Sequence, residues 1–578
     1  MQTGGGTGST GQVSGAEALV SVLEGSGVSH VFGLCGHTVV APLAALEPSP
    51  IRFVGVHHEQ MASHAADAHA RLTGEVGVVL THLGPGMTNA LTGVANAAFD
   101  NVPMVVVTGN VQSYFFGRHA HMETTRNADA DQAASYVPFV KRVWRIDRPE
   151  ALVPSLEAAF RLARSAPEGP VLVDVAMDVF SAPVESTPNP AATAAPRPAA
   201  LDPDTATTIA AKLAAAKRPL VYLGARAAAS RAGTAAATIA ERLCAPIAYG
   251  TMGKGTVPDD HPLCVGLSGL WGTPAANEAC RSADVILALG SEFGELDTSS
   301  WQPGTTFAIP PSRLLHIHDD PAELGRSYVP ELAAVADSAL AAAAIAAVLP
   351  PGRGGELDAS LVKLREDFAG SLHAEQASDS VPMAPARVLR DIERAIPAGT
   401  VVVGDTGWNK NGIAQQWSIS SPDRFVCPGG YATMGFGPSA ALGAALAGRG
   451  PVLALVGDGA FLTNISVVVT AVEEEIPVVW AIMNNSAYAT ISGLEERHFG
   501  TAYGAAFPTD RLDYAAFGRS VGAGGGRIER ADELGDAVRD ALAAARPFVL
   551  DIPCTMAHVP TTGHWDINDL FSGASGRR

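Results

Sequence analysis

The sequence predicts an α/β protein of three domains, each a doubly wound parallel sheet covered by helices. At 578 residues the chain is too long for one ordinary domain, because domains average about 150 residues. Short apolar runs alternate with amphipathic helical stretches along most of its length, which is typical of parallel sheets with helices on both faces. The composition, 47% hydrophobic and 17% charged, fits a compact enzyme.

The domain limits follow from where the apolar runs stop and Pro- and Ala-rich or polar stretches begin. We expect a disordered leader over 1–14, a first domain over 15–184, a linker over 185–204, a second domain over 205–350, a helical linker over 351–382, a third domain over 383–565 and a tail over 566–578. Strands are predicted in HVFGL, IRFVGV, VGVVLTH and VPMVVVTGN, then in PLVYLG, PIAYG, VILALG and RLLHIH, and finally in TVVVGD, VLALVGD, VVWAIMNN and PFVLDI.

Charge and cysteine usage exclude several classes of function. The formal net charge of -19 argues against nucleic acid as a partner. Six cysteines without CxxC spacing indicate neither a zinc site nor a disulfide framework. The first residues do not resemble a secretory signal, and no apolar run reaches membrane-spanning length. We therefore expect a cytoplasmic protein with small-molecule substrates.

Polar residues follow two neighbouring strands of the third domain. Asp458 ends one strand, a helix is predicted over about 461–474, and Asn485 ends the next strand, over 477–483. A right-handed crossover brings these two ends together, and a carboxylate, an amide oxygen and a backbone carbonyl suit Mg²⁺ bound to a diphosphate. Gly457 and Gly459 allow close approach, and a helix starting near Ala460 points its N-terminus at the anion. Taken singly, these motifs also fit an ordinary turn and an ordinary helix cap.

Together they match a family signature. Gly457-Asp458-Gly459, residues 460–483 and Asn484-Asn485 resemble the thiamine diphosphate motif, GDG followed by about two dozen residues and NN. The chain is identified by this resemblance, over roughly residues 15–565, with the acetohydroxyacid synthase-like branch, which includes acetolactate synthase, benzaldehyde lyase and pyruvate oxidase. Further segments that resemble this branch are 56–74, 81–110, 251–277 and 429–447.

The resemblance implies thiamine diphosphate and Mg²⁺ as cofactors and a homodimer or homotetramer with active sites at the interface. It implies that Glu59 drives the cofactor's imino tautomer. Met434 takes the place of the apolar wedge that bends the cofactor, and the carbonyl of Ala432 accepts from its amino group. Among the remaining positions, the resemblance places Gly407 and Asn409 at the diphosphate, Ile491 at the cofactor, and Ala487 beside Asp458 and Asn485 at the metal.

Departures from the family's pattern lie at substrate positions. His37 stands where synthases have Gly, His121 and Met122 where they have Phe and Gln, and Asn110 where they have the Gln of SGQV; His82 precedes Gly84-Pro85-Gly86. Imidazoles in these loops are predicted to relay substrate protons, although each, like the neighbouring His119, also fits a surface or cap residue. Ile491 replaces the Glu of aldehyde-releasing decarboxylases, which favours attack on a second carbonyl.

The predicted function is therefore an enzyme that forms or cleaves a C–C bond next to a carbonyl, through a C2 ylid and an enamine, from a 2-oxo acid, aldehyde or ketone. The alternatives are a hydrolase of cyclic 1,2-diones, acetolactate synthase proper, or a catalytically silent homologue with a binding role. FAD is left open but not favoured, because Glu292 and Glu295 stand in GSEFGELDTSSW where synthases have GARFDDR. Residues 561–571 fit either a lid over the site or an ordinary docked tail.

Overall fold

The computed structural model describes residues 13–123, 131–184, 189–352, 355–507, 512–556 and 559–573. The chain forms two compact units with the boundary between Pro196 and Arg197. Of the predicted leader, only Val13 and Ser14 lie within the described residues. The second unit holds two of the three sheets.

The first unit is a parallel six-stranded sheet in the order β3-β2-β4-β5-β7-β6, with a two-stranded antiparallel ribbon of β1 and β8. Every residue of β5 and β7 is buried, because helices cover both faces. Its strands are β1 (Val13–Ser14), β2 (His30–Gly33), β3 (Arg52–Gly55), β4 (Gly77–Thr81), β5 (Met104–Asn110), β6 (Val143–Ile146), β7 (Pro170–Ala176) and β8 (Pro183–Val184). Its helices are α1 (Gly15–Gly25), α2 (Val40–Leu46), α3 (Glu59–Thr73), α4 (Pro85–Phe99), α5 (Pro149–Ala163) and α6 (Met177–Ser181).

The central sheet, in the second unit, is also six-stranded and all parallel, in the order β11-β10-β9-β12-β13-β14. Its strands are β9 (Pro219–Leu223), β10 (Ile247–Tyr249), β11 (Cys264–Leu267), β12 (Val285–Leu289), β13 (Arg313–His318) and β14 (Leu332–Val335). The helices are α7 (Pro203–Ala215), α8 (Ala225–Ala229), α9 (Gly233–Leu243), α10 (Pro274–Ser282), α11 (Ser338–Val348) and α12 (Ala359–Gln376).

The C-terminal sheet has the same parallel topology as the sheet of the first unit, in the order β16-β15-β17-β18-β20-β19. Its strands are β15 (Val401–Gly404), β16 (Phe425–Val426), β17 (Val452–Gly457), β18 (Val479–Asn484), β19 (Gly524–Arg527) and β20 (Phe548–Pro553). The helices are α13 (Pro385–Ala395), α14 (Trp408–Gln416), α15 (Phe436–Leu446), α16 (Asp458–Thr463), α17 (Val467–Glu473), α18 (Ala489–Phe499), α19 (Tyr514–Ser520), α20 (Ala531–Ala543) and α21 (Asp566–Ser572).

In each sheet the strand order reverses beside the first strand of its βαβ run: between β2 and β4, between β9 and β12, and between β15 and β17. Ligands of open α/β sheets bind at the carboxyl ends of the strands at such switch points. The topology therefore indicates where to look for a site in each domain.

The predicted fold class, three parallel α/β domains, is confirmed, and every predicted strand is present. The sequence patterns missed β1, β6, β7, β8, β11, β14, β16 and β19. Most of these are edge strands, which are short or carry exposed positions, so their apolar signal is weak. The predicted linkers contain helix: α12 lies within 351–382, and α7 begins at Pro203, where Asp202 caps it by accepting from Thr205 N.

The helix predicted over 461–474 is wrong in its limits. Two helices replace it, α16 and α17, and the first begins at Asp458 rather than near Ala460. Asn464 breaks the run because its side chain leaves the helix to donate to the carbonyl of Gly435, at 2.9 Å. Within the described part of the chain, no helix has the length and apolar character needed to span a bilayer.

Candidate active site

A cavity of about 300 Å³ opens at the carboxyl ends of β15, β17 and β18. It lies at the switch point of the C-terminal sheet, where phosphate-bearing ligands bind in such folds. All the residues predicted from the sequence to hold the cofactor or the metal line it: Gly407, Asn409, Ala432, Met434, Gly457, Asp458, Gly459, Ala460, Asn485, Ala487 and Ile491.

Asp458 is held in place by backbone donors. Its Oδ1 accepts from the N–H of Gly459 at 2.8 Å, and its Oδ2 accepts from Ser486 at 2.6 Å and from Asn485 at 3.1 Å. Burial raises the pKa of this carboxyl to about 6, although the hydrogen bonds from these N–H groups lower the pKa. A cation beside this carboxylate would relieve the cost of burying its charge.

The two asparagines at the end of β18 have different surroundings. Asn484 is buried and donates to the carboxylate of Asp551, at 2.8 Å, and to the carbonyl of Leu512. Asn485 lines the cavity, and its Oδ1 accepts from the N–H of Ala487 at 3.2 Å. Ser486, between Asn485 and Ala487, has a positive φ of 56°, which turns the chain back toward the cavity. Carboxylate, amide and carbonyl oxygens at this edge fit the ligand preference of Mg²⁺.

Gly459 leaves the cavity floor free of side chain. A Cβ at this position would lie 2.5 Å from the ring of Tyr488, closer than any real contact. Gly457 and Gly459 carry no side chain, so a ligand can approach the backbone on either side of Asp458 closely.

Asp405 shapes the turn that carries Ala432 and Met434, a role that the sequence patterns missed. Its Oδ2 accepts from the N–H groups of Gly435 and Gly437, at 3.0 and 2.8 Å. Burial raises the pKa of Asp405 to about 7, although the backbone donors lower it. The signal in the sequence is an acid directly after the apolar run VVVG, the same pattern that singled out Asp458.

Other walls of the cavity come from parts of the second unit distant in sequence. Trp271 and Leu296 come from the central domain, and Trp565 from the C-terminal segment. The rings of Trp271 and Trp565 are 6.4 Å apart between centroids. Thr562 Oγ1 donates to the carbonyl of Gly272 at 2.7 Å, which fixes the segment against the central domain. Trp565, from the segment 561–571, therefore covers part of this cavity.

In the first unit, Glu59 is the first residue of α3 and is only 5% exposed. Its Oε2 accepts from the side chain of Asn89 at 3.0 Å. Oε1 faces Gly86, where a Cβ would lie 3.1 Å away. His58 caps the helix by accepting from the N–H of Gln60. One carboxyl oxygen is thus fixed by Asn89, while the glycine leaves space at the other.

His37 and His82 follow β2 and β4, on either side of the switch point of the first sheet. His82 Nδ1 lies 2.9 Å from the carbonyl of Leu83, and its Nε2 lies 2.9 Å from His37 Nδ1. Because a carbonyl oxygen only accepts, His82 Nδ1 carries the proton and the Nε2 of the neutral ring accepts from His37. His37 therefore keeps a lone pair on its own Nε2. Burial is the main cause that lowers the pKa of His82, so this ring is neutral near pH 7.

His121 lies near this pair, with its ring stacked 6.3 Å from that of His37 between centroids. Both line a pocket of about 460 Å³, which His82 does not reach. Met122 and His119 are exposed residues of the same loop with positive φ, and neither lines the pocket. The structure thus brings His37, His82 and His121 together and leaves the other two outside.

Asn110, predicted as a substrate position, has a structural environment. It is buried, its Nδ2 donates to Asp174 at 2.8 Å, and its Oδ1 accepts from Val111 N. The carboxylate of Asp174 also accepts from Gln132, at 2.7 Å. The prediction for Asn110 is not supported by this geometry, because both polar atoms of its amide already have protein partners.

Comparison with known proteins identifies the family of the chain. Residues 13–134, 206–345 and 405–552 match, in order, the thiamine pyrophosphate enzyme N-terminal TPP binding domain, central domain and C-terminal TPP binding domain. The chain is 31% identical over 93% of its length to a probable acetolactate synthase large subunit of Methanocaldococcus jannaschii, covering 92% of that protein. The chain belongs to the thiamine diphosphate enzyme family.

Two further relatives place this thiamine diphosphate enzyme in the acetolactate synthase-like group. An acetolactate synthase large subunit of Parasynechococcus marenigrum is 31% identical, over 93% of this chain and 87% of that protein. The isozyme 3 large subunit of Escherichia coli is 30% identical, over 92% of this chain and 93% of that protein. The chain is accordingly a thiamine diphosphate-dependent carboligase, and the resemblance inferred from its motifs is confirmed.

Proposed function

We propose that this enzyme joins or cleaves a C–C bond next to a carbonyl group in small 2-oxo acids, aldehydes or ketones. The observation that carries the proposal is that one cavity of the C-terminal sheet is lined by all the residues expected at the metal, the diphosphate and the bend of the cofactor. The histidine pair in the first unit adds the means to move a substrate proton. The relatives named acetolactate synthase support acetolactate formation as one such reaction.

Asp458, Asn485 and the backbone of Ala487 would hold Mg²⁺, and the ion would hold the cofactor's diphosphate. When bound, thiamine diphosphate supplies a thiazolium carbon that adds to carbonyl groups. Ala432 and Met434 would position the two rings, since Asp405 fixes the turn that follows them. Gly407 and Asn409 would face the diphosphate from β15, where the positive φ of Gly407, 126°, admits only glycine readily.

Glu59 would hold a hydrogen bond to the cofactor's pyrimidine nitrogen through Oε1. Asn89 occupies Oε2 and so orients the carboxyl group, while Gly86 keeps the space beside Oε1 open. A neutral amide at this position cannot share a proton with the ring. Glu59→Gln should therefore bind cofactor normally yet lose most hydrogen exchange at the thiazolium carbon, measured by proton NMR after a quench in D₂O. Glu47→Gln, on the surface, is the matched control.

His37 would act as the base or acid for the substrate's hydroxyl or carbonyl oxygen. The Nε2 of His37 has the free lone pair, and its Nδ1–H donates to His82. When Nε2 takes up a proton from the substrate, His37 becomes a cation, and the hydrogen bond to His82 stabilises that cation. Ile491 lines the cavity without an acid group. The absence of a carboxyl group at this position favours reaction with a second carbonyl over release of an aldehyde.

We propose that the central domain does not hold FAD. At its switch point a Cβ on Gly224 would lie 2.3 Å from the carbonyl of Gly290, so the ends of β9 and β12 are in direct contact. Phe293, 2% exposed, fills the crevice and stacks on Tyr222 with centroids 5.4 Å apart. A dinucleotide would have to displace this aromatic cluster. Stoichiometric flavin in the purified enzyme, detected by its visible absorbance after acid release, would contradict the proposal.

We propose a homodimer or homotetramer in which Glu59 of one subunit and Asp458 of another serve the same site. Glu59→Gln and Asp458→Ala should each be inactive, but subunits mixed under conditions that allow exchange should regain activity. A mixed dimer contains one site with both wild-type residues only if sites are shared. No recovery in mixtures that sedimentation shows to have exchanged would place both residues in one subunit.

Small molecules are the proposed partners, and the cytoplasm is the proposed location. The net charge of -19 opposes binding to nucleic acid. The six cysteines are free, as expected in a reducing compartment.

The reaction is tested by incubating the loaded enzyme with a panel of 2-oxo acids, 2-hydroxyketones and cyclic 1,2-diones. Acid quench and mass spectrometry would identify the products and any substrate fragment bound to the cofactor. We expect C–C joined or C–C cleaved products that depend on His37. If the enzyme only released aldehydes, the proposal that it joins or cleaves C–C bonds between two carbonyl compounds would be wrong.

A further inference from the structure

Among the described residues that line the pocket of about 460 Å³ in the first unit, Arg118 is the one with a permanently charged side chain. Its lining is His37, Val111, Gln112, Phe115, Arg118, Ala120 and His121. Among the residues that the structure describes, Arg118 forms no ion pair, and this exposed residue lines the pocket. An arginine facing a pocket without an acidic partner indicates that its partner is a ligand.

The nearest acid in the sequence is occupied elsewhere. Glu123 Oε1 accepts from the N–H of Gly117, and Oε2 accepts from the N–H of Ala120, both at 3.2 Å. Gly117 and His119 have positive φ angles of 75° and 57°, so the loop between them is tightly turned. Glu123 thus closes the loop through backbone hydrogen bonds and, within the described part of the chain, forms no ion pair with Arg118.

The rest of the pocket suits a small substrate with one anionic end. Phe115 and Val111 provide an apolar wall, and Gln112 adds an amide. The imidazoles of His37 and His121 lie in the same pocket, where His37 Nε2 is the free base. A guanidinium binds a planar oxyanion through two parallel N–H groups, which fixes the orientation of the ligand as well as its position.

We propose that Arg118 binds an oxyanion of the substrate, a carboxylate, phosphonate or sulfonate that is retained in the product, and so sets specificity. This inference rests on the proposed function. An ion pair to a carboxylate that departs as CO₂ would stabilise the substrate more than the transition state, and so would slow the reaction. Arg118 therefore suits the anion of the acceptor, and its neighbours His37 and His121 suit the acceptor's carbonyl oxygen.

The test compares binding of lactate and methyl lactate to enzyme loaded with thiamine diphosphate and Mg²⁺. Neither probe carries a carbonyl that can react with the cofactor, and they differ by one charge. Arg118→Gln should raise the Kd for lactate about 10- to 100-fold, as measured by ligand-observed NMR, because a hydrogen bond to a charged group contributes about that much to binding. The Kd for methyl lactate should change by no more than a few-fold. Arg118→Lys should keep part of the lactate affinity. Arg148→Gln, an exposed arginine outside the pocket, is the control and should change neither.

Competition with acetate, methylphosphonate and methanesulfonate identifies the preferred oxyanion. Hydrogen exchange at the thiazolium carbon should be unchanged in Arg118→Gln, which separates this inference from the assignment of the cofactor site. If the wild-type enzyme showed no hydrogen exchange at the thiazolium carbon, the result would count against the proposed function and not against the role of Arg118. Equal loss of affinity for both lactate probes, no loss for either, or no binding of any oxyanion by wild type would overturn the role of Arg118.

Discussion

His82 Nε2 lies 2.9 Å from His37 Nδ1, and this contact decides which nitrogen of His37 can act on a substrate. Residues that orient a functional imidazole are typically worth about 10- to 100-fold. His82→Leu removes the acceptor, so His37 no longer has a fixed tautomer. We expect turnover to fall by about that factor and the pH profile of kcat to shift, with hydrogen exchange at the thiazolium carbon unchanged. If His82 had only a structural role, His82→Leu would not shift the pH profile of kcat.

The pocket histidines themselves should matter more. Replacing His37 by Phe and His121 by Ala together should lower turnover about 10²- to 10⁴-fold, the usual worth of general acid-base catalysis, with cofactor affinity unchanged. His119→Ala, which alters an exposed histidine of the same loop outside the pocket, is the control. If turnover of the double variant stays within a few-fold of wild type, the histidines are structural.

Asp458→Ala should abolish Mg²⁺-dependent retention of thiamine diphosphate, because the carboxylate that would bridge protein and ion is lost. Calorimetric titration of cofactor with and without Mg²⁺ measures the effect. Asp536→Ala, on exposed α20, should behave as wild type. Stoichiometric cofactor copurifying with Asp458→Ala would show that the metal lies elsewhere.

Asp405→Ala should weaken cofactor binding without removing a metal ligand. The N–H groups of Gly435 and Gly437 would lose their acceptor inside the protein, and each unsatisfied group costs about 1 to 3 kcal/mol. The turn after Met434 should loosen, so we expect a lower Tm and a raised Kd for thiamine diphosphate at saturating Mg²⁺. If Tm fell while the Kd for thiamine diphosphate stayed unchanged, Asp405 would contribute to the stability of the fold but not to cofactor binding.

His64, buried on α3, should make folding sensitive to acid. Burial lowers its pKa to about 3, with a smaller contribution from the charge of Arg71, so the folded state keeps the ring neutral while the unfolded state protonates near pH 6.5. Below pH 6.5 the unfolded chain binds the extra proton, and stability is therefore lost as the pH falls.

Between pH 6.5 and 5 this one ring should account for about 2 kcal/mol of that loss. His64→Gln cannot titrate, so its urea-unfolding free energy should fall less steeply from pH 7.5 to 5 than that of wild type. Parallel pH dependences for the two proteins would contradict the assignment.

Local patterns in the sequence were sufficient for the fold class and for the polar residues at the strand ends, and the residues predicted at the diphosphate and the metal line one cavity. A buried parallel strand is a continuous apolar run, and the functional residue comes directly after it, as with Asp458 after VLALVG and Asn485 after VVWAIMN. These signals lie within a few residues of one another. The helix break at Asn464 escaped them because its cause, the carbonyl of Gly435, is distant in the chain.

Only the tertiary structure decided which other side chains reach these sites. Trp271 and Trp565 meet across nearly 300 residues of sequence, Asn110 turns toward Asp174, and Phe293 fills the crevice of the central sheet. The tautomer of His37 depends on His82 and Leu83 in the same way. Periodicity specifies which face of an element is buried but not which distant residue it meets, and the chemistry of a site depends on those meetings.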